Sequence, residues 1–252
     1  MISVCIDTMF PHLEFYDRIH AVRECGIETV EFQSWHNKNV KKIKESGITV
    51  SVFNLDSSDR LLSQKLSEGI LNNGSAEDLI RALNESIPIY HELRASAMTV
   101  LIGKNSPYNE KNIYKCLITV LPLLKKHNIN LLIEPLNDID RPGYSMPYAT
   151  PVFELLKKIN DPHVKLLYDI YHQNMMGDFS MDVIKYNIKY IGHFHMADAP
   201  GRHEPGTGNI DYANILKEIS TLDYNGYVGL KYKATKRDDK TLEFLRQTGY
   251  LT

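Results

Sequence analysis

Four short segments of this chain place acid, imidazole and amine groups where apolar runs stop. Leu131-Leu132-Ile133 runs into Glu134 and then Pro135, and Val164-Lys165-Leu166-Leu167-Tyr168 ends in Asp169, with His172 three residues further on. His193-Phe194-His195 closes a third run, and Gly229-Leu230 leads into Lys231. In an extended strand, alternation puts His193 and His195 on one face. A Glu, an Asp and a His from three successive strands form a mixed oxygen and nitrogen donor set suited to Mn, Mg, Co or Zn. Plainer readings stand beside this one. Glu134 also suits a salt-bridged strand end, Asp169 a helix N-cap, and one of the two histidines a core position.

Such groups need a frame that brings distant segments together. Short apolar strands alternate with longer amphipathic segments along the whole chain. The expected strands are Ile2–Ile6, Thr29–Phe32, Val50–Asn54, Met98–Ile102, Asn130–Glu134, Val164–Asp169, Tyr190–His195 and Tyr227–Lys231. Helices are expected over Leu13–Cys25, Lys38–Glu45, Ala76–Ala95, Glu110–His127, Thr150–Ile159, Met181–Tyr186, Tyr212–Ile219 and Lys240–Gln247. Gly26 and Gly47 fall where C-caps belong, and Ser75 reads as an N-cap before two acids. Eight β-then-α repeats predict a parallel sheet closed into a single-domain (β/α)8 barrel. An open doubly wound sheet would carry a glycine-rich phosphate loop after an early strand, whereas Asp7-Thr8-Met9-Phe10-Pro11 follows the first strand here. In a closed barrel, chemistry gathers at the C-terminal ends of the strands. Those ends are Glu31, Asn54, Lys104, Glu134, Asp169, His195 and Lys231.

Composition removes several alternatives. The 252 residues carry a formal net charge of −2, with basic residues interleaved with acids on helix-like stretches. Duplex DNA binding draws on many phosphate contacts from Lys and Arg, so no nucleic-acid partner is expected. No apolar run reaches the ~20 residues of a membrane span. Met1-Ile2-Ser3-Val4-Cys5 shows no basic leader, and Cys5, Cys25 and Cys116 lack metal-type spacing. Reduced, buried thiols in a cytoplasmic protein are expected. Trp35 and Phe53, near early strand ends, suit either core packing or stacking on a substrate's carbon face. Two methionines in Asn174-Met175-Met176-Gly177 either cover a pocket or fill core gaps.

Three segments together carry a family resemblance: Ile133-Glu134-Pro135-Leu136-Asn137, Tyr168-Asp169-Ile170-Tyr171-His172, and the run from His193 through Asp198-Ala199-Pro200-Gly201-Arg202 to Gly208. They resemble the hydroxypyruvate isomerase family, within the xylose isomerase-like (AP endonuclease family 2) barrels, which also include ketose 3-epimerases. The resemblance implies isomerisation or epimerisation of a small carbohydrate or hydroxy-keto acid through a metal-stabilised enediolate, often in a dimer or tetramer. Carried onto this chain, it makes Glu134, Asp169 and His195 metal ligands, with Glu134 as a catalytic base. His172 and Arg202 would bind substrate oxygens. Apart from the resemblance, Lys104 after Leu101-Ile102-Gly103 is either a contact to a substrate carboxylate or simply solvated. Arg202 also suits a brace to Glu204, and Gly201, Gly206 and Gly208 suit a tightly folded loop. The abasic-site nucleases of this barrel group need further histidine and acidic ligands from early strands. Here those strand ends offer Asp7, Glu31 and Asn54, with His36 the nearby imidazole.

Two positions depart from the family pattern. Asn209 stands where relatives usually have Glu, and Lys231 where they have the glutamate that is the fourth ligand and partner base. An ammonium ~4 Å from a divalent ion repels it by about 8 kcal/mol at an effective dielectric of ~20. Lys231 therefore swings outward, loses its proton, or sits between Glu134 and Asp169 in place of the metal's charge. The corresponding functional readings are an isomerase with a rearranged site in which Lys231 takes part, and a weakly catalytic carbohydrate- or sugar-acid-binding barrel.

Overall fold

The computed structural model describes residues 1–249. Eight parallel strands close in chain order: β1 (Ile2–Cys5), β2 (Thr29–Ser34), β3 (Thr49–Asn54), β4 (Ala97–Leu101), β5 (Leu131–Glu134), β6 (Val164–Asp169), β7 (Ile191–Met196) and β8 (Tyr227–Leu230). β8 returns to β1 with Ile2 opposite Val228, which leaves no open edge. The strands are short, apolar and rich in β-branched residues, as segments buried on both faces must be. β8 stops one residue before Lys231, but the Lys231 N–H still donates to the Met196 carbonyl at 3.1 Å. The register at the site is therefore held past the formal end of the strand.

Helices cover the outside and bear out most of the sequence expectation. The longest of the first half, Ala76–Leu93, is capped by the Ser75 side chain accepting from the Asp78 N–H. Its Leu79, Leu83, Ile87 and Tyr90 face inward. Gly26 and Gly47 take φ values of +83° and +69°, the left-handed cap conformation. Two short helices, Arg60–Glu68 and Ile170–Met175, add to the expected set, and the expected Lys240–Gln247 helix is split into Asp238–Thr241 and Glu243–Gln247.

Two apolar regions support the site. The main core lies between barrel and helices. A separate cluster of Val52, Ala97, Leu132 and Leu167 joins β3 to β6. Leu132 and Leu167 precede Glu134 and Asp169 by two residues, so they share their strand faces and form an apolar layer beneath the carboxylates. No helix among the described residues is long and apolar enough to cross a membrane. Cys5, Cys25 and Cys116 are buried free thiols.

Candidate active site

Neighbouring strands deliver the chemistry. Glu134 ends β5, Asp169 ends β6, and His195 lies opposite Asp169 on β7. His195 Nδ1 stands 3.1 Å from Glu134 Oε1 and 3.6 Å from Asp169 Oδ2. Its Nε2 faces Glu31 Oε1 at 2.9 Å, while Glu31 Oε2 meets His193 Nε2 at 2.8 Å. All five residues are buried. Asp169 is an N-cap, its Oδ1 accepting from the His172 N–H, while its Oδ2 accepts from Arg202.

Glu31 is the group whose role the sequence did not disclose beyond its strand-end position. It is hydrogen-bonded to His193 and lies in ion-pair reach beneath His195. Room for its carboxylate comes from β8: a Cβ at Gly229 would lie 2.2 Å from Glu31 Oε2 and 2.7 Å from His193 Nε2.

Above this floor sit two cations and a neutral imidazole. Lys231 Nζ donates to Glu134 Oε1 at 3.2 Å and lies 3.5 Å from His195 Nδ1. Arg202 donates from NH2 to Asp169 Oδ2 at 2.7 Å and from Nε to the Lys231 carbonyl at 3.1 Å, with NH1 2.8 Å from His172 Nε2. The other ring nitrogen of His172, Nδ1, accepts from the Asn137 N–H at 3.2 Å, so the neutral ring carries its proton on Nε2. A guanidinium has five N–H groups, and those that bond neither Asp169 nor the Lys231 carbonyl remain for a ligand. The guanidinium also stacks 4.9 Å from the Tyr171 ring centroid.

The electrostatics follow from burial opposed by close partners. Burial works against ionisation of Glu31, but His195 and His193 hold its carboxyl well below the ordinary range. Burial is likewise outweighed at Glu134 by Lys231 and His195, and at Asp169 by His172 and Arg202. Burial and Lys231 press the His195 value down, yet Glu31, Asp169 and Glu134 push it up to about 10. Burial dominates at His172 and lowers it to about 4. Three carboxylates, Glu31, Glu134 and Asp169, thus face three cations, His195, Arg202 and Lys231.

These shifts fix how stability varies with pH. His195 has a folded value above the free-imidazole ~6.5, so its contribution is complete below about pH 6.5 and is lost as pH rises towards 10. His172 is displaced the other way: its contribution is complete above about pH 6.5 and is lost as pH falls towards 4. Thermal melts across pH 4–10 are expected to peak near about pH 6.5, with the alkaline decline flattened in His195→Asn. A midpoint that climbs steadily from pH 7 to 9 in the unmodified chain would contradict this assignment.

Backbone clamps hold the frame. The Tyr144 hydroxyl accepts from the Ile102 N–H and donates to the Glu134 carbonyl at 2.8 Å, tying the exits of β4 and β5. The loop that carries Arg202 is organised by buried Asp198, whose carboxylate accepts from the N–H groups of Ala199, Gly206, Gly208 and Ile210. Arg202 itself takes φ +58°, an uncommon backbone state for a residue with a side chain, in a loop that aims its guanidinium inward. Glu204 pairs with Thr235 rather than bracing Arg202. A cavity of about 620 Å³ opens above, lined among others by Glu134, Arg141, His172, Arg202, Lys231 and Lys233.

Three expectations require comment. Lys104 lies outside this cavity: its Nζ pairs with Glu68 at 3.6 Å. Glu68 ends the helix Arg60–Glu68, and the chain after it bonds to the β4 exit, Ile70 N–H to Leu101 O at 3.1 Å and Asn72 N–H to Ile102 O at 2.8 Å. That unanticipated segment gives Lys104 a local partner and removes it from the candidate substrate contacts. Trp35 donates to Ser86 Oγ, and Phe53 is buried against Phe32, so both belong to packing. Met175 does reach the cavity wall.

Among the described residues, two groups of side chains have metal-type proximity, Glu31 with His193 and His195, and Glu134 with Asp169 and His172. His195 is the better third donor for the second group, because its Nδ1 faces both carboxylates whereas both ring nitrogens of His172 are engaged. The donor chemistry therefore suits a divalent ion. The charges around it do not: Lys231 and Arg202 already hold the carboxylate oxygens such an ion needs.

A closed (β/α)8 barrel with carboxylates, imidazoles and fixed cations converging at its strand exits defines a barrel enzyme site. The family model for the xylose isomerase-like TIM barrel matches residues 19–248, and the chain belongs to that family. It is 28% identical to hydroxypyruvate isomerase of Escherichia coli, over 96% of this chain and 97% of that one. It is 24% identical to 2-oxo-tetronate isomerase of Pectobacterium atrosepticum, over 90% and 89% of the two chains. Among solved structures it superposes on the family 2 AP endonuclease of Brucella melitensis with a TM-score of 0.88, at 23% identity, covering 100% and 99% of the chains. The IOLI protein with a binding zinc atom shares the fold at a TM-score of 0.74 and 13% identity, covering 99% and 97%.

Proposed function

We propose that this chain is an isomerase that interconverts a short 3-hydroxy-2-oxo acid and its 2-hydroxy-3-oxo isomer through an enediolate. The observation that carries the reading is the ionised Glu134 carboxylate held within 3.2 Å of the Lys231 ammonium at the base of a substrate-sized cavity. A proton on carbon beside a carbonyl is weakly acidic, and removing it requires a base on the carbon and positive charge on the oxygen. Glu134 is the base. N–H groups of Arg202 that bond neither Asp169 nor the Lys231 carbonyl suit the planar carboxylate of the substrate, and the neutral His172 ring lies beside the guanidinium. The names of the relatives, hydroxypyruvate isomerase and 2-oxo-tetronate isomerase, support an acid substrate. The wall carries Arg141, Arg202, Lys231 and Lys233 against Asp56, Glu134 and Asp140, an excess of one cation that suits an anion.

The test is incubation of the purified chain with hydroxypyruvate and with 2-oxo-tetronate in D2O, followed by proton NMR. Turnover of at least one, with deuterium entering at the reacting carbon, is expected. Binding without turnover or exchange would leave a sugar-acid-binding barrel and end the isomerase reading.

A further inference from the structure

The group that stabilises an enediolate must lie over the base, where the carbonyl oxygen gathers charge. Lys231 Nζ occupies that place, within reach of Glu134 Oε1 and His195 Nδ1, while Arg202 covers Asp169 Oδ2. These are the donor atoms that a divalent ion would use. The Lys231 side chain is 12% exposed, and its backbone is fastened at both polar groups, N–H to Met196 and carbonyl to Arg202. We propose that Lys231 takes the place of a divalent cation here, and that its ammonium group is the catalytic acid of a metal-independent proton transfer. This rests on the isomerase reading and adds to it the identity of the positive charge.

The reaction balances with the chain's own groups. Glu134 takes the proton from the hydroxyl-bearing carbon, and that C–H electron pair becomes the double bond to the carbonyl carbon. The carbonyl π pair moves onto its oxygen, which takes a proton from Lys231. The resulting amine then removes the proton of the neighbouring hydroxyl, whose electrons form the new carbonyl as Glu134 returns its proton to the adjacent carbon. One proton has moved between carbons and one between oxygens, and both side chains regain their starting states.

The test joins metal binding to turnover. The purified chain is expected to hold less than about 0.1 equivalent of metal by elemental analysis. Its hydroxypyruvate turnover should change less than twofold in EDTA, and its melting midpoint should not respond to MnCl2. Lys231→Glu places a third acid beside Glu134 and Asp169; its midpoint should fall and then recover with MnCl2, with Mn binding tightened at least 100-fold over the parent. Lys231→Met should lower kcat about 10²–10³-fold, the usual effect of losing one oxyanion donor. Stoichiometric metal in the parent, loss of its activity in EDTA, or Lys231→Met activity within threefold of the parent would each overturn the proposal. If no substrate is turned over by any form, the isomerase reading fails on its own, and the Mn titrations of parent and Lys231→Glu still decide whether the lysine stands for the ion.

Discussion

Glu134→Gln is expected to lower kcat for hydroxypyruvate about 10³-fold with little change in KM. General bases contribute roughly 10²–10⁴, and Glu134 is the carboxylate that stands against the Lys231 ammonium. The amide keeps the shape and removes the basic oxygen, so deuterium exchange at the reacting carbon should disappear together with turnover. The variant should also melt earlier, because Lys231 and His195 each lose an anionic partner in a buried setting; breaking such a pair costs about 3–5 kcal/mol. Turnover within tenfold of the parent would remove Glu134 from the reaction and shift the search for the base to Asp169.

Arg202→Met should act mainly on recognition. Two charge-assisted hydrogen bonds to a substrate carboxylate, at roughly 1.5–3 kcal/mol each when made to a charged group, correspond to about 10²–10⁴ in kcat/KM at ~1.4 kcal/mol per decade. The loss should fall on KM and should spare a neutral ketose offered as a comparison substrate. Arg202→Lys should recover little, since an ammonium lacks the planar fork. An equal loss for acid and neutral substrates would show instead that Arg202 matters through its bonds to Asp169 and the Lys231 carbonyl.

The architecture was legible because barrel strands buried on both faces leave continuous apolar runs, and the polar residues ending those runs are conspicuous. That is why Glu134, Asp169, His195 and Lys231 could be named from the sequence and meet in space. Glu31 was harder to read, because it follows only Thr29-Val30 and gains its meaning from His193 and His195, more than 160 residues away. Lys104 lies three residues past the end of β4, where a short helix supplies Glu68 as a nearby partner and leaves the plainer, solvated reading. Tyr144 and Asp198 act through backbone groups, and a hydroxyl or carboxylate that organises main chain carries no pattern of its own in the sequence.

The missing side chain at position 229 has a consequence for how this centre is built. Because Gly229 carries no side chain, the Glu31 carboxylate and the His193 ring fill that space on the β8 side. The upper half of the centre takes its charge from a residue two steps further along the chain. The space at the bottom and the charge at the top thus come from different positions of one short segment, Gly229 below and Lys231 above.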